Sequence, residues 1–432
     1  MNFYLNKLAL KFCRATACDR LILARLRDSL AANGGYYLMM VIAGGSGVVK
    51  SLGYAWILAP AEFGRLGLVT SLAPFLVYGF GRGAIEGAAL NLPRLYGQGR
   101  VNEASQLLRH CVKRLTFEGV LATGLSGLVF LADSRMAILC LAVPLASSTG
   151  LLSLAMTDAR SRGAMNLYGS SVLARVAVCS VCGLPAAAIF GIKGAVLGEV
   201  GAQIVLIAWL LRYVEAPKTA MQAGSLFKIR AYGWNMMVHQ FLQMLQQNGD
   251  RWLISAALGP VLLGQYSFAA IFLTAVSLLH AIIYQQIGPA ALRSLAEGRP
   301  LHAVLRRSNQ VAWAAGGGVA LLGVFSGVGY WWGLTSIFSC YPTGFTIFPW
   351  IVLTGVFQIM NQHDWIIAGG RHMGTLASFD LLSTAIYLFL ALLGWMVGWS
   401  LVYFVILTCW TRCAALLATM YLANLTARKI RI

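Results

Sequence analysis

Charge is scarce in this chain of 432 residues. Charged side chains make up 11% of it, against about 25% in an ordinary soluble domain. That shortage excludes a soluble globular protein, and no stretch between the apolar runs is long enough for a separate soluble domain. A cleavable signal peptide is also missing, because residues 1–34 are basic and broken up rather than continuously apolar. The nine cysteines form no framework of paired spacings. Cys179 and Cys182 make a CxxC inside an apolar run, with no histidine or second CxxC nearby, which fits small apolar packing better than metal or redox work. Gly44 to Ser51 resembles a phosphate loop superficially, but the glycine required before Lys50 is replaced by Val49. HExxH, GxSxG and zinc-type Cys–His spacings are lacking too. These absences lead to the expectation of no enzyme activity, no cofactor and no metal.

What the chain has is apolar residue: 59% of it, with a mean hydropathy of +0.72. With about 20 apolar residues as the unit of a span, the pattern predicts an all-α polytopic membrane protein of about twelve transmembrane helices. They fall near 35–58, 65–90, 115–132, 136–156, 170–190, 195–211, 231–257, 261–287, 309–333, 347–368, 375–396 and 400–424. The expected organisation is a basic amphipathic arm (1–34), a six-helix bundle (35–211), a linker (212–230), a second six-helix bundle (231–424) and a basic tail (425–432).

Basic residues orient this arrangement. With the N-terminus inside, cytosolic segments hold 25 of the 33 Lys and Arg, and the outward loops hold Arg65, Arg135 and Lys193. Both termini are therefore expected in the cytosol. The net charge of +19 then lies on the cytosolic side, where attraction to anionic membrane lipid accounts for it and no nucleic-acid partner is needed.

The chain repeats itself at an offset of 200 residues. Leu58 to Leu66, LAPAEFGRL, aligns with Leu258 to Tyr266, LGPVLLGQY, sharing Leu, Pro and Gly. Proline halts one helix and glycine opens the next, so each copy marks the turn between the first and second helices of a half. Six helices per half is an even number. The repeat is therefore expected to be parallel, two pseudo-repeats around a central cavity.

Polar residues inside these spans are costly and mark candidate function. On the helix starting near 231, His239, Gln243, Gln246 and Asp250 share a face at 100° per residue, while Phe241, Leu242, Leu245, Trp252 and Leu253 lie opposite. That polar face is expected to line the cavity between the halves. Ionisable residues within spans are Lys50, Arg82, Glu86, Glu118, Arg175, Glu199, Asp250, Arg251, Asp364, Asp380 and Arg412. Glu118, Arg175 and Asp380 lie close enough to helix ends to snorkel, and Arg82 with Glu86 are spaced to neutralise each other. Gln358 to Asp364 and His280 to Gln286 form two polar clusters that read as one mouth of a cavity. The repeat sets Lys50 against Asp250 at equal depth, which suggests a closure across the pseudo-two-fold.

Together these features resemble the Wzx-type polysaccharide lipid flippases, in the multidrug/oligosaccharidyl-lipid/polysaccharide exporter superfamily. The likeness rests on LGPxxLGxYSFA at Leu258 to Ala269 following Asp250-Arg251, and on ILAPAEFGRLGLVTSL at Ile57 to Leu72. It implies translocation of undecaprenyl-diphosphate-linked oligosaccharides across the bacterial cytoplasmic membrane, ahead of polymerisation into O-antigen, capsule or exopolysaccharide. It also implies coupling to a proton or sodium gradient, and a polysaccharide polymerase and chain-length regulator as partners. On this resemblance Lys50, Arg82, Arg251 and Arg412 are candidates for the diphosphate and acidic sugars, because cations pair well with phosphate oxygens. His239, Gln243 and Gln246 are candidates for sugar hydroxyls, and Asp250, Glu86, Glu199 and Asp364 for ion coupling or gating. Two alternatives stay open: a drug/cation antiporter of the same fold and, more remotely, a membrane scaffold or glycosyltransferase.

Overall fold

The computed structural model describes residues 34–81, 84–132, 137–213, 223–280, 282–283, 301–329, 335–361 and 373–429. Apart from short turns they are all helical, as a chain in lipid must be to satisfy its backbone polar groups. In order, the elements are α1 (Gly34–Ile57), α2 (Pro60–Gly81), α3 (Ala84–Gly97), α4 (Val101–Ala132), α5 (Ala137–Ser161) and α6 (Met165–Leu211). They continue with α7 (Ala223–Ala269), α8 (Ile271–His280), α9 (Leu301–Gly329), a single turn α10 (Thr335–Ile337), α11 (Pro342–Met360), α12 (Met373–Val397) and α13 (Leu401–Lys429). The expected arm lies almost wholly outside the described residues, as do residues 214–222 of the expected linker.

Two of these elements are hairpins. At 47 residues α6 would stretch about 70 Å if straight, more than twice the roughly 30 Å hydrocarbon core. It folds back at Gly191, whose φ of 59° and ψ of −143° suit a residue without a Cβ. A Cβ at Gly198 would lie 2.7 Å from the Cys182 carbonyl oxygen, so the arms 165–190 and 192–211 run in close contact. α7 breaks likewise at Gly259 (φ 83°, ψ 175°), immediately before Pro260. Ile254 and Leu263, on either side of that break, share one buried cluster.

Eight helices among the described residues are long and apolar enough to cross a membrane. Two of the eight lie in the hairpins, and with α2 and α4 the twelve expected spans are all met by a helix or an arm. α4 shows why helix ends outrun the apolar windows: expected from 115, it begins at Val101. Ala104, Leu107, Leu108, Cys111 and Leu115 are buried at helical spacing, while Arg109, His110 and Lys113 stay exposed. A 20-residue hydropathy window misses such an amphipathic start. Farther along the same helix Phe117, Val120, Leu121, Leu125 and Leu128 are exposed, an apolar stripe that lipid would cover.

The ends of α3, α5 and α6 are fastened by one polar cluster. Tyr96 donates to Asp158 at 2.7 Å, and Arg162 pairs with Asp158 at 2.8 Å while donating to the Tyr213 carbonyl at 2.9 Å. Burial, and after it the bond to Asp158, holds the Tyr96 hydroxyl above its ordinary pKa.

The two halves meet along α2 and α7. A Cβ on Gly64 would collide with the Pro260 carbonyl oxygen and lie 2.7 Å from the Gly264 nitrogen, and one on Gly264 would collide with the Pro60 carbonyl oxygen. The repeated turns therefore touch each other, backbone to backbone. The seam continues through Gly67 against Ser267, the Trp252 indole N–H donating to Ser71 Oγ at 3.0 Å, and Phe75 with ring centroids 4.5 Å from Phe241 and 4.7 Å from Trp252.

Candidate functional site

In the N-terminal half the charge sits between its first and sixth helices. Lys50 on α1 donates to Glu199 Oε1 at 2.7 Å across to the second arm of α6. Tyr54, one turn beyond Lys50, donates to the same oxygen at 3.0 Å. The site is tight because Gly183 on the first arm leaves room: a Cβ there would collide with the Tyr54 hydroxyl and sit 3.4 Å from Glu199 Cγ. One turn below, Thr149 donates to Gln203 Oε1 at 3.1 Å. Lys50 thus has its partner inside its own half, so the closure expected between Lys50 and Asp250 is not formed.

Asp250 occupies the same level in the C-terminal half, ten residues before Pro260 as Lys50 is ten before Pro60. It is buried, and its carboxylate accepts the Tyr266 hydroxyl and the Arg251 backbone N–H at 2.7 Å. Arg412, on the sixth helix of this half, is within electrostatic range of Asp250, yet its Nη2 donates to the Gln246 carbonyl at 2.9 Å. Asp250, Arg251, Tyr266 and Arg412 line a cavity of about 100 Å³ together with Thr354 and Thr408. On the measure that one water needs roughly 10–15 Å³, it holds several waters or one small polar group. The Arg251 guanidinium has no hydrogen-bond or ion-pair partner among the described residues.

Within the polar stripe of α7, Gln246 points away from the expected cavity. Gln246 Nε2 donates to the Asp380 carbonyl at 2.9 Å, to Ser383 Oγ at 2.9 Å and to Thr384 Oγ1 at 2.8 Å. It points into its own half and binds α12, so its amide is not turned to the space between the halves. Phe241 and Trp252, placed on the opposite side from the sequence, make the contact with the N-terminal half instead. The reason is satisfaction: a polar face in lipid takes whatever donors and acceptors its own bundle offers, leaving aromatics to seal the seam.

The remaining candidates divide by position. Arg82 and Asp364 lie outside the described residues; Glu86, His239 and Gln243 lie on described helical backbone, with their side chains outside the described set. Glu118 is paired with Arg114 one turn away at 2.9 Å. The polar clusters of the second and fourth spans of this half do meet: Gln358 Nε2 donates to Ser277 Oγ at 2.9 Å, and His280 Nε2 lies 3.2 Å from the Asn361 carbonyl oxygen. Sequence reasoning missed Tyr54 and Tyr266. Only Tyr54 carried a signal, its i, i+4 spacing from Lys50.

Residues 136–313 match the family described as "Polysaccharide biosynthesis protein". Among solved structures, an inward-facing multidrug resistance MATE family transporter of the MOP superfamily aligns at a TM-score of 0.58 and 14% identity, over 90% of this chain and 96% of that one. A MOP superfamily transporter from Pyrococcus furiosus aligns at 0.63 and 13% identity, over 93% and 96%. A mutant of the Vibrio cholerae MATE transporter VcmN aligns at 0.63 and 15% identity, over 93% and 97%. The chain shares the fold of these solved structures.

No curated protein matches the sequence. Within this fold the family match runs from the start of α5 into α9. It therefore takes in Glu199, Asp250 and Arg251, and leaves Lys50 and Arg412 outside.

Proposed function

We propose that this MOP-fold protein is a flippase for undecaprenyl-diphosphate-linked oligosaccharides. It moves them from the cytosolic to the outer leaflet of the bacterial cytoplasmic membrane, with both termini in the cytosol. The observation that carries the reading is the match of residues 136–313 to a polysaccharide biosynthesis family in a chain whose fold is that of membrane transporters. The basic cytosolic rim supports it, since it draws an anionic headgroup and repels a cationic drug.

The polar chemistry narrows the roles. Lys50 is engaged by Glu199 and Arg412 is balanced by Asp250, so Arg251 is the cation that meets a phosphate or acidic sugar. The amides and hydroxyls of the C-terminal cavity, among them Asn248, Thr274 and Gln358, suit sugar hydroxyls. Arg82, His239 and Gln243 remain candidates for the substrate, and Glu199, Asp250, Glu86 and Asp364 for exchange with a proton or sodium ion. The polymerase and chain-length regulator are the partners this reading implies, with anionic lipid at the basic rim.

Depletion of the protein tests it: one undecaprenyl-linked repeat unit accumulates on the cytosolic side if the reading holds. The second reading, a drug/cation antiporter, is favoured by the multidrug MATE transporters among the structural matches. Unchanged lipid intermediates with altered drug sensitivity would establish it instead.

A further inference from the structure

We propose that α4 and α9, the third membrane-spanning helix of each half, each hold an anionic phospholipid, its phosphate on a pair of cations and an acyl chain on the apolar face that follows. That the cytosolic leaflet supplies the lipid rests on the orientation proposed above; the two sites themselves rest on geometry. The helices are copies at the repeat offset, α4 opening at Val101 and α9 at Leu301. They bury the same side: Ala104, Ser105 and Leu108 in one, Val304, Leu305 and Ser308 in the other. The opposite side is exposed in both.

On α4 that side begins with Arg109 and Lys113 and continues with Phe117, Val120 and Leu121. On α9 it begins with Arg306 and Arg307 and continues with Trp313, Leu321 and Val324. At 100° per residue each set falls within about 120° of its helix surface. Half the hydrocarbon core is about 15 Å deep, which is roughly ten residues of helix. A chain whose phosphate meets these cations therefore runs past Phe117 and Val120 on α4 and past Trp313 on α9. Below Trp313 the exposed Gly317 and Gly318 have nothing packed over them, which leaves a shallow trough in the same face.

Loop charge alone would orient the chain in a membrane, but it does not account for where these cations stand. Other basic side chains beside them are already neutralised: Arg100 by Glu103 at 2.6 Å and Arg114 by Glu118 at 2.9 Å. Arg109, Lys113, Arg306 and Arg307 have no hydrogen-bond or ion-pair partner among the described residues, and they share a face with apolar side chains that lipid covers. A phosphodiester supplies the missing countercharge, and a guanidinium meets its oxygens two at a time. α12 gives the contrast. It exposes Leu381, Leu382, Ile386 and Phe389, yet no Lys, Arg or His occurs along Met373–Val397, so nothing on it selects a headgroup.

Native mass spectrometry of the full-length protein in detergent tests this, with phosphatidylglycerol and phosphatidylethanolamine of identical acyl chains offered in competition. Two phosphatidylglycerol molecules should be retained in preference. A cation near the surface is worth about fivefold in such binding, and a pair about 25-fold. R109Q/K113Q and R306Q/R307Q should each remove one preferred lipid, and the four changes together should remove both. Arg100→Gln, at a cation already paired, should leave the count at two. Glycerol phosphate, a headgroup without chains, should displace neither lipid, and Trp313→Ser should weaken retention at α9 with its arginines intact.

Equal retention of the two lipids overturns the proposal, as does a preference that survives all four changes. Displacement by glycerol phosphate or indifference to Trp313→Ser reduces the sites to bare charge, and a dimer in place of a lipid-bound monomer gives these faces to a second copy; each result also overturns it. Preferential binding, with a lipid-linked glycan pool unchanged on depletion, keeps the two sites and removes the flippase reading. Lost preference with accumulation intact removes the sites alone.

Discussion

Ten residues before its proline turn, one half of this protein carries a lysine and the other an aspartate, and the two halves treat that charge differently. In the N-terminal half Lys50 is closed onto Glu199 of the sixth helix at 2.7 Å. In the C-terminal half Asp250 and Arg412 of the sixth helix face one cavity without touching, each held by a neighbour: Tyr266 for the first, the Gln246 carbonyl for the second. The repeat thus conserves where a charge stands and which helix answers it, while inverting the sign and changing whether the pair is shut. A shut pair is a strut. An open pair beside Arg251, whose guanidinium has no hydrogen-bond or ion-pair partner among the described residues, is a place where something can bind.

The largest effects should come from breaking the strut. Lys50→Met or Glu199→Gln alone leaves one charge of a mostly buried pair without its partner, a loss of about 3–5 kcal/mol, read as a lowered unfolding temperature in detergent. The double variant should recover most of it. Asp250→Asn should cost less, about 1–3 kcal/mol, because the cavity admits water to Arg412. Equal losses in the two halves would erase the distinction drawn between them.

Arg251→Gln should leave stability nearly unchanged and weaken transport. Loss of a charge-assisted hydrogen bond of about 1.5–3 kcal/mol should appear as accumulation of the lipid-linked repeat unit. The smallest expected change is Tyr96→Phe at the far end of the N-terminal half, about 1 kcal/mol. With its pKa raised in the folded state, that hydroxyl contributes fully below the ordinary tyrosine value, and the contribution fades as the pH climbs above it.

Much of the architecture could be read from the residues. Apolar runs placed the spans, and the Pro-Gly turns disclosed the repeat, because both are local patterns that hydrophobicity and backbone geometry impose. Partner choice was not legible. Lys50 and Glu199 are 149 residues apart, and no periodicity links a lysine on one helix to a glutamate on another. The repeat even pointed to the wrong partner, since equal depth does not mean contact. The facing of Gln246 departed from expectation for a related reason: amphipathicity separates a polar from an apolar side, but in a membrane either side can be the one turned inward. Gln246 found Ser383 and Thr384, and that choice belongs to α12 as much as to α7.

The central claim is that each half neutralises its own charge, while close backbone packing, and no ion pair among the described residues, joins the halves at the repeated turns. Charge reversal tests it most directly, with unfolding temperature in detergent as the measurement. The account predicts that Lys50→Glu destabilises the protein and that adding Glu199→Lys restores it, whereas Lys50→Asp is not rescued by Asp250→Lys. Rescue by the second pair and not by the first would contradict it.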